Sequence, residues 1–331
     1  MKKAFSLLSL TVAALALGSC ETIVDVDPPA HTPQLALSYT LSNQVPTADY
    51  RTFFESRDLY VSTSQGVFET KNLQGRADAT VELRNEANEV VELYKARGRA
   101  GYYNQDSLQG YYVPTRGYVG QPGMRYTLRA SAPGVEPVEA ALTLPVPATI
   151  EAASYAPKAE DPNGYGALRG RLSFIVSDNA ATTDYYVAYA RVLDASGKFW
   201  GSVGKDYSAT NDDSDVDINR FQLSDSRSYS YSLFPISDAG HNGQRLSSGN
   251  DVALYYGGAY DPQNPTPPKP AFVEIIVSSI TRDTYDFYQS VKRYNDVDGN
   301  PFAEPAPLRS NVKPGYGLFG GATDATFRIR L

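Results

Sequence analysis

The feature that most constrains the fold is a two-residue rhythm of apolar and polar side chains, broken by glycine or proline roughly every ten residues. Leu35, Leu37 and Tyr39 alternate with Ala36, Ser38 and Thr40, and a strand with that pattern buries one face and wets the other. Asp58 to Ser62 and Ala79 to Arg84 repeat it, and Gly101-Tyr102-Tyr103 and Gly110-Tyr111-Tyr112-Val113 follow. Gly123 to Ala130 reads as a turn leading into a strand with Met124, Tyr126, Leu128 and Ala130 on one face. Val138 to Leu144 closes the series. Seven or so strands in about 115 residues predict an immunoglobulin-like or fibronectin-like sandwich. Tyr126 fits either plain core or a corner tyrosine.

Pro145 and Pro147 end this unit as a short stiff connector. Beyond them, Leu172 to Val176 and Tyr185 to Val192 read as strands, with Ser177 to Asp184 as a hairpin loop between them. Ala271 to Ile280 is apolar and β-branched except for Glu274, as a well-buried strand should be. Tyr285, Tyr288, Val291 and Tyr294 recur every three residues and predict one helix at about 281–295. Thr281 is its N-cap, Asp283 lies in its first turn, and Lys292 and Arg293 in its last. The aromatic stripe is read as packing onto the sheet. With 25 tyrosines, 26 glycines and 22 prolines but 2 methionines, the composition agrees with an all-β body. The expected architecture is two β-sandwich-like domains, residues 34–147 and a larger 148–331 that carries the helix.

The first twenty residues point elsewhere. Lys2 and Lys3 precede an apolar stretch from Phe5 to Leu17, and Leu17-Gly18-Ser19 sets small residues before Cys20. That order is a secretory signal, residues 1–19, too short to span a bilayer. Cys20 is the only cysteine, so no disulfide can form within the chain, and no cysteine pair can hold a metal. The segment resembles the lipobox of bacterial lipoproteins. That resemblance implies diacylglycerol on the Cys20 sulfur and an acylated amino group, hence a stable lipid anchor. Residues 20–33, with Pro28, Pro29 and Pro33, read as an extended tether reaching roughly 40 Å. Glu21 after the cysteine resembles a surface-export signal, implying an outer-membrane protein that faces outward. The formal charge of −7 falls further when Lys2 and Lys3 leave, which argues against nucleic acid as a partner.

The C-terminal segment carries a second resemblance. Asn300-Pro301-Phe302-Ala303-Glu304-Pro305, then Ser310-Asn311-Val312, then Gly315-Tyr316-Gly317-Leu318-Phe319-Gly320-Gly321 resemble the closing signature of the DUF4249 family, Bacteroidetes lipoproteins of unassigned function. Membership implies a companion of a TonB-dependent outer-membrane receptor, acting in nutrient uptake. Read physically, the prolines hold an extended segment, Phe302 plugs into the body, and the glycines allow turns or close backbone approach around Phe319. Asn311 and Glu304 are the candidate binding residues of the motif, with packing as the rival role.

Catalytic chemistry has little support. Histidine occurs only at His31 and His241, and the loop around His241 carries no nucleophile motif. No cysteine pair or His-x-x-x-His offers a zinc site. The acidic runs Asp212 to Asp217 and Asp296 to Asn300 lack the glycine and glutamate of an EF-hand. No cofactor or metal is expected. Tyrosine pairs such as Tyr102-Tyr103, Tyr111-Tyr112 and Tyr255-Tyr256 suit either recognition loops or sheet packing. A non-catalytic binding protein is the first expectation. A surface hydrolase of glycans or peptides, using two convergent carboxylates, is an alternative, and a structural or adhesive envelope protein is another.

Overall fold

The computed structural model describes residues 30–45, 59–66, 69, 75–97, 109–158, 168–206, 223–224, 235–257, 268–297 and 306–331. The signal, Cys20, most of the tether, Tyr102-Tyr103, the Asp212 to Asp217 run and Pro301 to Pro305 lie outside them. The chain divides into two compact units, one of Met1–Thr32 with Gln65–Lys71, the other of Pro33–Ser64 with Asn72–Leu331. Every described strand and helix belongs to the second.

That unit is all-β with one helix among the described residues, as the alternation predicts. Seven strands come first: β1 (Leu35–Ser42), β2 (Leu59–Thr63), β3 (Thr80–Asn85), β4 (Val90–Ala96), β5 (Tyr111–Pro114), β6 (Arg125–Ser131) and β7 (Val138–Thr143). Then follow β8 (Thr149–Pro157), β9 (Leu168–Ser177), β10 (Tyr185–Asp194), β11 (Phe199–Lys205), β12 (Ile236–Ser237), β13 (Arg245–Tyr256) and β14 (Pro270–Ile280). Helix α1 (Arg282–Val297) and β15 (Tyr316–Arg330) complete the chain. Hydrogen bonding runs in the order β7-β6-β3-β4-β5-β2-β1-β15-β14-β10-β11-β13-β9-β8, with β12 on β10. The contact of β1 with β15 is parallel, and the other pairings between named strands are antiparallel.

Two cores result. The first joins Leu35, Leu37, Tyr39 and Leu41 of β1 with inward residues of β2 to β7. The second joins Leu172, Phe174 and Val176 of β9 with alternate residues of β10 and β14. In the first core Tyr126 is both core and corner: it is 1% exposed, and its hydroxyl accepts the Gln121 N–H at 2.8 Å. Met124 departs from the expected face. It precedes β6 in the turn and is exposed. Tyr111 and Tyr112 sit in β5, not in a loop, and the Tyr112 hydroxyl accepts the Ala79 N–H at 2.8 Å. Tyr255 and Tyr256 likewise belong to β13.

Glu92 is the buried charge of the first core, 1% exposed. One oxygen accepts the N–H groups of Leu93, Thr115 and Arg116, and the other that of Tyr118. The carboxylate thus supplies to residues 115–118 the acceptors that a strand neighbour would. Glu274, the charge inside the predicted apolar strand, lies between Arg191 of β10 and Arg328 of β15 and bonds both. A charge can stay buried there because both neighbouring strands neutralise it.

Strand β15 serves both cores. Its first half lies along β1, with Leu37 opposite Gly317 and Tyr39 opposite Phe319. Its second half pairs with β14 from Ala322 to Arg330. Phe319 is fully buried in the first core and stacks on Tyr39 at 6.1 Å. The division into domains 34–147 and 148–331 is therefore proposed with a shared strand. Residues 33–147 alone are expected to lack a cooperative unfolding transition by circular dichroism, and fusing residues 308–323 after them should restore it. A cooperative, native-like transition in the short fragment would show that Phe319 and Val312 are dispensable to that core.

Two local expectations need correction. Residues 178–184 do not close a hairpin, because β9 pairs with β8 and β13 while β10 pairs with β11, β12 and β14. β9 and β10 lie in one sheet with β13 and β11 between them and share the second core, so the segment arches over to a strand that is not its hydrogen-bonded neighbour. Helix α1 begins as its cap predicts, with the Thr281 hydroxyl accepting the Thr284 N–H at 3.3 Å. It runs past the expected end to Val297, so Lys292 and Arg293 are not in its last turn. Tyr285 and Tyr288 pack against Val187, Tyr189, Ile276, Ile280 and Ala322, whereas Tyr294 is exposed.

Candidate functional site

Where β9 ends and β10 begins, the 178–184 arch meets the turn that follows β12. Gly240 and Gly243 have φ of +88° and +76°, and the His241 N–H donates to the Asp238 carbonyl at 2.6 Å. That turn folds back until a Cβ on Gly243 would stand 2.7 Å from the Ala180 side chain. The backbone seam is tied by the Asp238 N–H donating to the Asp184 carbonyl at 3.1 Å.

Three carboxylates converge at this seam. One oxygen from each of Asp178, Asp184 and Asp238 lies within 4.8 Å of the other two. Asp178 is held from both sides, accepting the Tyr186 hydroxyl at 2.6 Å and the Gly243 N–H at 2.7 Å. Asp184 accepts the Thr182 hydroxyl at 2.8 Å. Asp238 is only 1% exposed, and neither of its oxygens has a hydrogen-bond partner among the described residues. Burial pushes its carboxyl above the usual range; the Asp184 backbone N–H opposes this, but the charges of Asp178 and Asp184 and the contact with Asp178 push the same way as burial. The Tyr186 hydroxyl is pushed up by burial and by its bond to Asp178.

Asp184 also borders a cleft of about 390 Å³ between the β6–β7 edge of the first core and the segments that lead into β10 and α1. Arg125 and Thr143 line it from the first core's strands, and Asp184, Tyr185, Arg282 and Asp283 from the other side. Its walls thus carry two guanidinium groups, two carboxylates and an aromatic ring. The Tyr185 ring is braced against Tyr285 of α1 at 4.8 Å. Such a surface can hold a ligand of mixed polarity by charge-assisted hydrogen bonds.

The C-terminal motif meets the cleft through one residue. Asn311 donates to Asp283 at 3.1 Å and to the Phe319 carbonyl at 2.9 Å, and its own oxygen accepts the Phe319 N–H at 2.9 Å. It acts as a one-residue strand neighbour for β15 where β14 does not reach, and it steadies a cleft carboxylate. The glycines serve close approach: a Cβ on Gly315 would meet the Leu35 carbonyl at 2.4 Å, and one on Gly320 the Thr284 hydroxyl at 2.7 Å. Asn300, Pro301, Phe302, Glu304 and Pro305 fall outside the described residues, as does Cys20. The motif residues and the three aspartates are separate features, and sequence reading found only the first. Asp178, Asp184 and Asp238 have no motif spacing, and only the arch brings them together.

Among curated proteins nothing matches this sequence. A family model described as "Domain of unknown function (DUF4249)" matches residues 53–328. The match takes in all of β2 to β14, the cleft, the three aspartates and the C-terminal glycines, and the chain belongs to the DUF4249 family.

Proposed function

We propose that the protein is a lipid-anchored outer-membrane protein that binds rather than catalyses, working beside a TonB-dependent receptor in nutrient uptake at the cell surface. The observation that carries this reading is Leu17-Gly18-Ser19-Cys20 at the end of a short apolar segment. A lipid on Cys20 confines the body to the membrane plane, where even weak contacts are reinforced by high local concentration. The proline-bearing tether gives the body reach over a neighbouring barrel. The cleft beside Tyr185 offers a place for a ligand or a partner loop. Asp238, by contrast, has oxygens closed to solvent, so the three carboxylates are poorly placed to reach a glycosidic or peptide bond.

Two measurements test this. Cys20→Ala should abolish labelling by an alkynyl fatty acid and release the protein from membranes. A tag after Leu331 should bring down one TonB-dependent receptor in roughly equal amount from gentle detergent, and loss of either protein should impair growth on the same nutrient. Unchanged labelling in the variant defeats the anchor. Purification without any outer-membrane barrel, together with in vivo crosslinking that captures none, defeats the partnership.

A further inference from the structure

We propose that Asp178, Asp184 and Asp238 form a binding site for one calcium ion, which clamps the 178–184 arch to the turn after β12. Asp238 is the most deeply buried of the three. A carboxylate with both oxygens shut off from water, and helped only by the nearby Asp184 backbone N–H rather than by a hydrogen bond of full geometry, is costly to bury ionised. Here it also faces two further carboxylates. None of the three makes an ion pair with a lysine or arginine among the described residues. A cation at the point of convergence would resolve all of this at once.

The dimensions and the donors suit calcium. Calcium takes oxygen ligands at about 2.3–2.6 Å, so two oxygens on one ion stand up to about 5 Å apart. The three aspartate oxygens fall within 4.8 Å of one another. Carboxylates are hard ligands, and neither imidazole nor thiolate contributes to the group, which disfavours zinc and copper. The surroundings are also those of a supported metal ligand. Tyr186 and Gly243 each donate to a different oxygen of Asp178 and fix its orientation, while the second lone pair on each oxygen stays free to ligate. Asp184 is only half-buried, which leaves a path for water and for the ion.

The ion would join segments that the fold otherwise links by few bonds. It would also set the Asp184 and Tyr185 wall of the cleft. The rival explanation is a proton shared between Asp178 and Asp238, which needs no metal.

Terbium, a luminescent stand-in for calcium, distinguishes them, because Tyr185 and Tyr186 adjoin the site and can sensitise its emission. The full chain, purified in EDTA, should show saturable emission at one ion per chain, displaced by calcium with a dissociation constant on the order of 10⁻⁵–10⁻³ M. Calcium at hundredfold excess should raise the melting midpoint by about 5 °C. Asp238→Asn should abolish both effects. Asp184→Asn, at a half-exposed position that can be changed without opening the core, should weaken terbium binding at least tenfold, and it decides the matter if Asp238→Asn does not fold. Asp283→Asn, on the cleft but outside the cluster, should bind as the unaltered chain does. Absence of saturable emission and of a calcium-dependent midpoint overturns the proposal. So does binding that Asp184→Asn leaves intact, or an Asp238→Asn chain that is more stable in EDTA while the unaltered chain ignores calcium.

Discussion

Gly317→Ala is expected to be the most damaging small substitution in the chain, costing about 4 kcal/mol or more. Two independent constraints meet at this residue. Its φ is +112°, which L side chains rarely adopt, and a Cβ there would stand 1.8 Å from the Leu37 carbonyl oxygen. The neighbour is backbone of β1, so nothing flexible can move aside. Relief requires opening the parallel pairing of β1 with β15, and with it the seat of Phe319. Gly134→Ala separates the two constraints, because Gly134 also has positive φ (+77°) but nothing within 4 Å of its Cβ position. That variant should lose only about 1 kcal/mol. Urea unfolding of both variants measures the difference. Equal losses would mean that conformational strain alone matters and that the close approach of β1 and β15 is compliant.

Glu92→Gln should cost about 3 kcal/mol, lowering the melting midpoint by about 6–10 °C. The substitution keeps the size but replaces one oxygen by an NH₂ group, setting two donors face to face. It also removes the charge that strengthens the remaining hydrogen bonds. The effect carries a pH signature whose sign is determined. Burial pushes the Glu92 carboxyl up, but the backbone N–H groups of Tyr118, Arg116, Leu93 and Thr115 outweigh it, so the native value lies below the ordinary 4.5. A depressed native value contributes stability that is full above the unfolded value and lost as pH falls through the native one. The unaltered chain should therefore lose stability below about pH 4.5 more steeply than Glu92→Gln does. Parallel acid limbs for the two proteins would show that Glu92 does not titrate with unfolding.

Much of the local structure was legible in the sequence because local structure is set by near neighbours. Alternation placed β1 and β6, and mostly apolar runs placed β10 and β14, to within a residue or two of their observed starts, and Thr281 placed the start of α1. The C-terminal glycines were legible as points of close approach, since a run of four within seven residues has few other uses. Pairing was not legible. Nothing in Ser177 to Asp184 reveals that β9 and β10 are not hydrogen-bonded neighbours, because a hairpin and an arch can share a length and a composition. Nor does the rhythm of β15 say that its halves belong to different cores, since both halves need the same alternation. The three aspartates were invisible for the same reason: Asp178 and Asp184 are joined to Asp238 only by the pairing of β12 with β10 and of β13 with β9. Glu92 stood out in neither way, as one more acid in a strand whose other polar residues face water.

The placement of β15 has a temporal consequence. The first core is made almost entirely from residues 35–144, yet Phe319 is synthesised long after the strands it packs against. Ties between β1 and β15 are very long in sequence, as in the Asn43 side chain bonding the Asp324 backbone across 281 residues. Closing so large a loop brings its reward only after the entropy of nearly the entire chain has been spent, which slows folding. Every nascent chain shorter than about 320 residues therefore leaves the β1 edge bare and its core unplugged. Emergence of β15, rather than of the early strands, is therefore expected to complete the first core, and until then that core stays open to rearrangement.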